Sequence, residues 1–134
     1  MSISPYAHLK CSTPQDVLVL TITEPQLQGD ALAETLRQEM IHAVSTTGSK
    51  KVAVDLEHVK YCSSVGFRPL LSLRRKVQEL HGRLVLCNLS REVTEVFRAT
   101  RMIMSGPRSS GFVFEAQPTL AAAIASLNSN PPAP

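Results

Sequence analysis

No stretch of this sequence approaches the roughly 18 to 20 consecutive apolar residues that a membrane-spanning helix requires. Residues Met1 to His8 also lack the basic-then-apolar order of an export signal. A cytoplasmic location away from any membrane is therefore expected. The 3 cysteines, Cys11, Cys62 and Cys87, are an odd set without a C-x-x-C spacing, which argues against a disulfide framework or a zinc knuckle. His8, His42, His58 and His81 show no metal-ligand spacing, so no metal is expected. Neither G-x-x-x-x-G-K-[ST] nor G-x-G-x-x-G occurs, which leaves nucleotide hydrolysis and dinucleotide binding without a motif, and no cofactor is expected. Aromatic residues make up only 4% of the chain, and few lie near its one tight basic run, Arg74-Arg75-Lys76. With a net charge of +3 from dispersed residues, that run reads as a solvated helix face, and no nucleic-acid partner is expected.

What is present suits one ordinary domain: 134 residues, 43% hydrophobic and 19% charged. Val17 to Ile22 is β-branched and aliphatic, as in a strand buried on both faces. An edge strand is expected before it, around Ala7 to Ser12. After the turn-prone Glu24-Pro25, Gly29-Asp30 offers a helix start with Asp30 as its cap. Leu32, Leu36, Met40 and Val44 then form one apolar stripe, and Gly48 ends that helix. Val52, Val54 and Leu56 give the next strand. Phe67, Leu70, Leu73, Val77 and Leu80 mark a second helix stopped by Gly82. Leu84 to Cys87 is a further strand, Ser90 caps a helix carrying Val93, Val96 and Phe97, and Gly106-Pro107 marks a loop. Phe112 to Phe114 reads as a last strand. The final helix has Pro118 near its first turn and Leu120, Ile124 and Leu127 inward.

Alternating strands and helices of these lengths imply right-handed crossovers. The expected fold is α/β, a small mostly parallel sheet flanked by about four α-helices, spanning residues 1–127. Residues 128–134, with three prolines, are expected to be a disordered tail. In such sheets the functional crevice lies at the carboxyl ends of the strands, where residues 58 to 66 fall.

Chemistry concentrates at that junction, Val52-Ala-Val-Asp55-Leu-Glu-His58-Val-Lys-Tyr61-Cys62-Ser63-Ser64-Val65-Gly66-Phe67. Helix-opening N–H groups favour an anion or a developing charge, so either Ser64 or Cys62 can be the working residue. Cys62 and Arg68 have the spacing of cysteine-dependent phosphatases and of some rhodanese-like enzymes. Against a Cys62-dependent catalyst stand Pro69 in place of the usual hydroxyl residue, a single relieving glycine, and the lack of any candidate general acid. Asp55, without a second acid beside it, reads as structural, and no catalytic residue is expected.

The residues Val52-Ala-Val-Asp55-Leu56, then Ser63-Ser64-Val65-Gly66-Phe67, then Gly82-Arg83-Leu84-Val85-Leu86 resemble the STAS domain family, the anti-sigma-factor antagonists and their relatives. The resemblance covers roughly residues 10 to 127, and Ser90-Arg-Glu-Val93 with Phe97 is similar to the family's third helix. It implies a non-enzymatic regulatory module that binds an anti-sigma factor, a serine protein kinase of the histidine-kinase-like ATPase type, with a phosphatase as a further candidate partner. It also implies that Ser64 is the phosphoacceptor and that His58, Tyr61, Ser63, Ser64, Val65, Gly66 and Arg68 form the partner-binding surface. Arg74 and Arg75 extend it along the helix. The family's aspartate is replaced here by Ser63, which removes a charge and makes Ser63 a second candidate acceptor. A scaffold in a multi-protein signalling assembly, never phosphorylated, is the alternative, and either a monomer or a homodimer fits.

Overall fold

Among the described residues, which form seven strands and four helices, the central three strands fix the rest, because their side chains alternate between two buried faces. The computed structural model describes residues 6–63, 65–99 and 114–129. In chain order the elements are β1 (Leu9–Ser12), β2 (Leu18–Ile22), β3 (Gln26–Leu27), α1 (Asp30–Thr47), β4 (Lys51–Asp55), β5 (Tyr61–Cys62), α2 (Phe67–Glu79), β6 (Arg83–Cys87), α3 (Arg91–Ala99), β7 (Glu115–Gln117) and α4 (Leu120–Asn128). The main sheet runs β1-β2-β4-β6-β7. All of its pairs are parallel except β1 with β2. The expected α/β class and the mostly parallel sheet with four helices are thus what the chain forms.

Registration explains the layering. Leu18, Val52 and Leu84 stand abreast, as do Leu20, Val54 and Leu86, and all six enter the larger core with residues of α1, α2 and α3. The alternate positions Val19, Ala53 and Val85 face the other way and are covered by Ala123 and Leu127 of α4. A strand buried on both faces must be apolar throughout, which is why β2, β4 and β6 read as near-continuous aliphatic runs. Phe67 at the start of α2 packs edge-on against Phe97 of α3, with centroids 4.7 Å apart, and Phe97 leans on Phe114 at 6.2 Å. These rings seat the opening of α2 in the core.

Several local expectations are corrected. Asp30 does not cap α1: Gly29 (φ +89°) is the cap residue, without a side-chain bond, and Asp30 is the first helical residue. Gly48 does end α1 in the left-handed conformation, at φ +64°. At the end of α2 the left-handed residue is His81, not Gly82. Gly82 is required for a different reason, since a Cβ there would lie 2.6 Å from the Lys50 carbonyl oxygen. Thr119 caps α4 through the Ala122 N–H at 3.1 Å, which puts Pro118 before the helix and not within it. Pairing in the last strand covers Glu115–Gln117. Phe112 and Val113, the Gly106-Pro107 loop and the tail beyond residue 129 lie outside the described residues. The boundary at 127 moves by one, because Asn128 ends α4 and binds both Lys51 Nζ (2.9 Å) and the Gln15 carbonyl (3.0 Å).

Candidate functional site

The junction between β4 and α2 is held down by a feature with no strong sequence signal, the two-stranded parallel pair of β3 and β5. Each strand has only two residues, too few for a period to show. The Pro25 carbonyl accepts from the Lys60 and Tyr61 N–H groups at 2.7 and 3.2 Å, and the Leu27 carbonyl accepts from the Ser63 N–H at 2.9 Å. The chain then turns into α2 directly over β3. A Cβ on Gly66 would lie 2.3 Å from the Leu27 carbonyl oxygen and 3.0 Å from Cys62 Sγ. Gly66 has an ordinary helical φ of −65°, so its requirement is close approach and not backbone freedom.

Ser63 is half-buried and its hydroxyl is occupied. It donates to the Leu27 carbonyl at 3.3 Å and accepts from the Gly66 N–H at 3.4 Å, so it orders the turn despite carrying no charge. Ser64 lies outside the described residues. Val65 is half-buried, and Gly66 is buried, so Gly66 shapes the loop without presenting a surface to a partner. His58 is exposed, Tyr61 is 45% exposed, and the Arg68 side chain is 69% exposed. Arg75 is exposed, whereas Arg74 is half-buried and reaches Gln78 Oε1 at 3.4 Å. The helix begins at Phe67. Pro69 is then its third residue, where its missing N–H forfeits no helical bond.

Cys62 is 1% exposed, and its thiol donates to the Ser63 carbonyl at 3.5 Å. Burial pushes that thiol up to about 12, so almost no thiolate exists at neutral pH. The guanidinium that a cysteine phosphatase would need beside the sulfur instead faces Asp30, with Arg68 Nη1 3.4 Å from Asp30 Oδ1. Asp55 is 4% exposed at the carboxyl end of β4. Its Oδ1 accepts from the Glu57 N–H and the Asn88 amide, both at 3.0 Å, which ties the β4 and β6 exits together.

Beside this junction lies a groove of about 580 Å³ that no sequence pattern marks, lined by Asp30, Ala33, Glu34 and Arg37 of α1 and Arg68, Leu71 and Ser72 of α2. Leu71, 37% exposed, is the one part of it with a legible signal. In the tandem Leu70-Leu71 only one residue can follow the inward stripe, and Leu70 does.

The STAS domain family model matches residues 9–107. BtrV of Bordetella bronchiseptica, named as an anti-sigma factor antagonist, is 36% identical over 84 residues, which cover 60% of this chain and 72% of BtrV. The anti-sigma-factor antagonist (STAS) domain protein of Planctomyces limnophilus superposes with a TM-score of 0.72 at 20% identity, over 92% of this chain and 100% of the other. The Bacillus cell fate determinant SpoIIAA in its phosphorylated form gives a TM-score of 0.60 at 17% identity, over 90% of this chain and 99% of the other. With the family model matching most of its length and the sheet order, helices and junction all in place, the chain belongs to the STAS domain family.

Proposed function

We propose that this protein is an anti-sigma-factor antagonist, a non-enzymatic module that captures an anti-sigma serine kinase of the histidine-kinase-like ATPase type and releases it when Ser64 is phosphorylated. The observation that carries the reading is the placement of exposed apolar surface. Among the described residues, Tyr61 and Leu71 are the exposed large hydrophobic side chains, and both lie within seven positions of Ser64. Large apolar side chains left in water beside a polar loop mark a protein-binding surface. A phosphoryl group would add roughly −1.5 to −2 charge there and disfavour an apolar or acidic partner surface pressed onto it. The 36% identity to BtrV and the fold shared with phosphorylated SpoIIAA support the same reading. No helix among the described residues is long and apolar enough to cross a membrane, which accords with a cytoplasmic partner.

A scaffold role without phosphorylation is the second reading, and Ser63 favours it. The loop is already ordered by a neutral hydroxyl bonded to Leu27 and Gly66, so a charge that would engage a kinase is missing at that position. Incubation with host soluble extract and ATP, followed by peptide mass spectrometry, separates the two. The switch predicts phosphate on Ser64, and an unmodified peptide under conditions that phosphorylate an Asp-Ser relative favours the scaffold.

A further inference from the structure

We propose that the groove between α1 and α2 is a self-association surface, on which a second copy of this chain seats about a two-fold axis. Both helices cross over between parallel strands on the same face of the sheet, so they lie side by side and run in the same direction. The flank of α1 that lines the groove carries Asp30 and Glu34, and that of α2 carries Arg68 and Leu71. At helical spacing these flanks continue to Ile41, which is half-buried, and to Arg75, which is exposed.

The two walls differ in sign. Taken whole, α1 holds three acids against one arginine, whereas α2 holds four basic residues against one acid. A partner of uniform charge, such as a nucleic acid or an acidic protein surface, would be drawn to α2 and repelled by α1. The groove is complementary to a surface that carries an acidic and a basic ridge side by side in the opposite order. A copy turned about a two-fold axis along the groove presents that surface, because α1 of each copy then lies on α2 of the other. Asp30 and Arg68 stand at the same height, as their 3.4 Å contact within one copy shows, so in the pair each also meets its counterpart across the axis. That contact is single and long, between side chains 86% and 69% exposed, and it leaves acceptor and donor capacity on both groups for a second partner. Leu71, 37% exposed, and Ile41 add apolar contact that one copy alone leaves to water.

The size of the seam sets its strength. With 13 residues α2 is about 20 Å long, and two adjacent helices are about 20 Å across. A seam of about 400 Å² per copy is half the roughly 800 Å² of a standard interface, which makes the dimer a weak one, populated at about 0.1–1 mM. Arg68 and Leu71 also belong to the surface proposed above for capture of the kinase. On that reading, self-association shields the capture surface and a bound partner dissolves the dimer. The dimer itself does not depend on it.

Sedimentation equilibrium of the full chain alone, from about 10 μM to about 1 mM, tests the pairing across the range expected for so small a seam. The weight-average mass should climb toward twice that of the monomer, and less so in high salt. D30K/E34K makes both walls basic and R68E/R75E makes both acidic, so each variant alone should stay monomeric at every concentration. An equimolar mixture of the two should dimerise at least as well as the wild-type chain. In it the basic α1 of one variant lies on the acidic α2 of the other, while the unaltered helices pair as before. A wild-type chain that stays monomeric at the highest concentration, variants that dimerise alone as the wild type does, or a mixture that fails to dimerise would overturn the proposal. No partner protein is present, so a failure here leaves the capture reading standing, and a failure of capture leaves the dimer.

Discussion

Replacing Gly66 by alanine should damage this protein more than the same change at Gly48, although Gly48 is the glycine with the unusual backbone. At Gly66 the new methyl would sit 2.3 Å from the Leu27 carbonyl oxygen, 2.9 Å from Leu27 Cβ and 3.0 Å from Cys62 Sγ. The first of these is backbone, so it cannot swing aside, and it also accepts the Ser63 N–H and hydroxyl. Overpacking of this kind costs about 1–3 kcal/mol, and disturbing the bonds onto Leu27 adds about 1 kcal/mol. A loss of roughly 2–4 kcal/mol corresponds to a Tm lower by roughly 10 °C for a domain of this size. At Gly48 nothing lies within 4 Å of the added Cβ, and the cost is the left-handed φ of +64°, about 1–2 kcal/mol. Urea unfolding of both variants measures the difference, and thiol titration with Ellman's reagent locates it. G66A should make Cys62 reactive in the native state, while G48A should leave it protected. Equal destabilisation by the two changes, or a protected Cys62 in G66A, would refute the close-approach account of the junction.

Burial raises the Cys62 and Cys87 thiols from the ordinary 9.0 to about 12, with the Asp55 and Glu57 charges adding to the effect at Cys87. Because the native values lie above the unfolded one, their contribution is complete below pH 9.0 and is lost as pH rises toward about 12. Each thiol then takes up to about 1.4 kcal/mol of stability per pH unit, so C62A should flatten the alkaline limb of a stability curve measured by urea unfolding. The same burial predicts no hydrolysis of p-nitrophenyl phosphate that depends on Cys62; turnover abolished in C62S would contradict it. Arg83 grips Glu115 through two bonds of 2.7 and 2.8 Å and the Ser126 carbonyl and hydroxyl at 2.8 and 2.9 Å. R83M should cost about 2 kcal/mol and speed hydrogen exchange in β7 and α4 ahead of β4.

The parts of this fold that were legible in the sequence are those with a period. β2, β4 and β6 showed as aliphatic runs because both faces of each are covered, and α2 showed as a stripe because only one of its faces is. Ser90 was readable as a cap because a hydroxyl before a helix has one common use, and it accepts the Val93 N–H at 3.1 Å. The pair of β3 and β5 was hidden, since two residues cannot alternate enough to be seen. Asp30 illustrates the commoner failure. A residue type that suits a cap was placed correctly to within one position, but the cap fell on Gly29, and the freed carboxylate turned to Arg68 across the cleft, a partner 38 residues away. The site itself was legible as a sequence motif. The reasons for its shape were not, because Gly66 is dictated by Leu27, which lies 39 positions earlier.

In the proposed switch, the charge state of Ser64 decides partner capture. Calorimetric titration of a purified anti-sigma kinase with the S64A, S64D and phosphoserine-64 forms tests it most directly. S64A should bind as the unmodified protein does, S64D should bind more weakly, and the phosphoserine form should bind weakest. Equal affinity for all three would contradict the switch while leaving the fold and the family as they are.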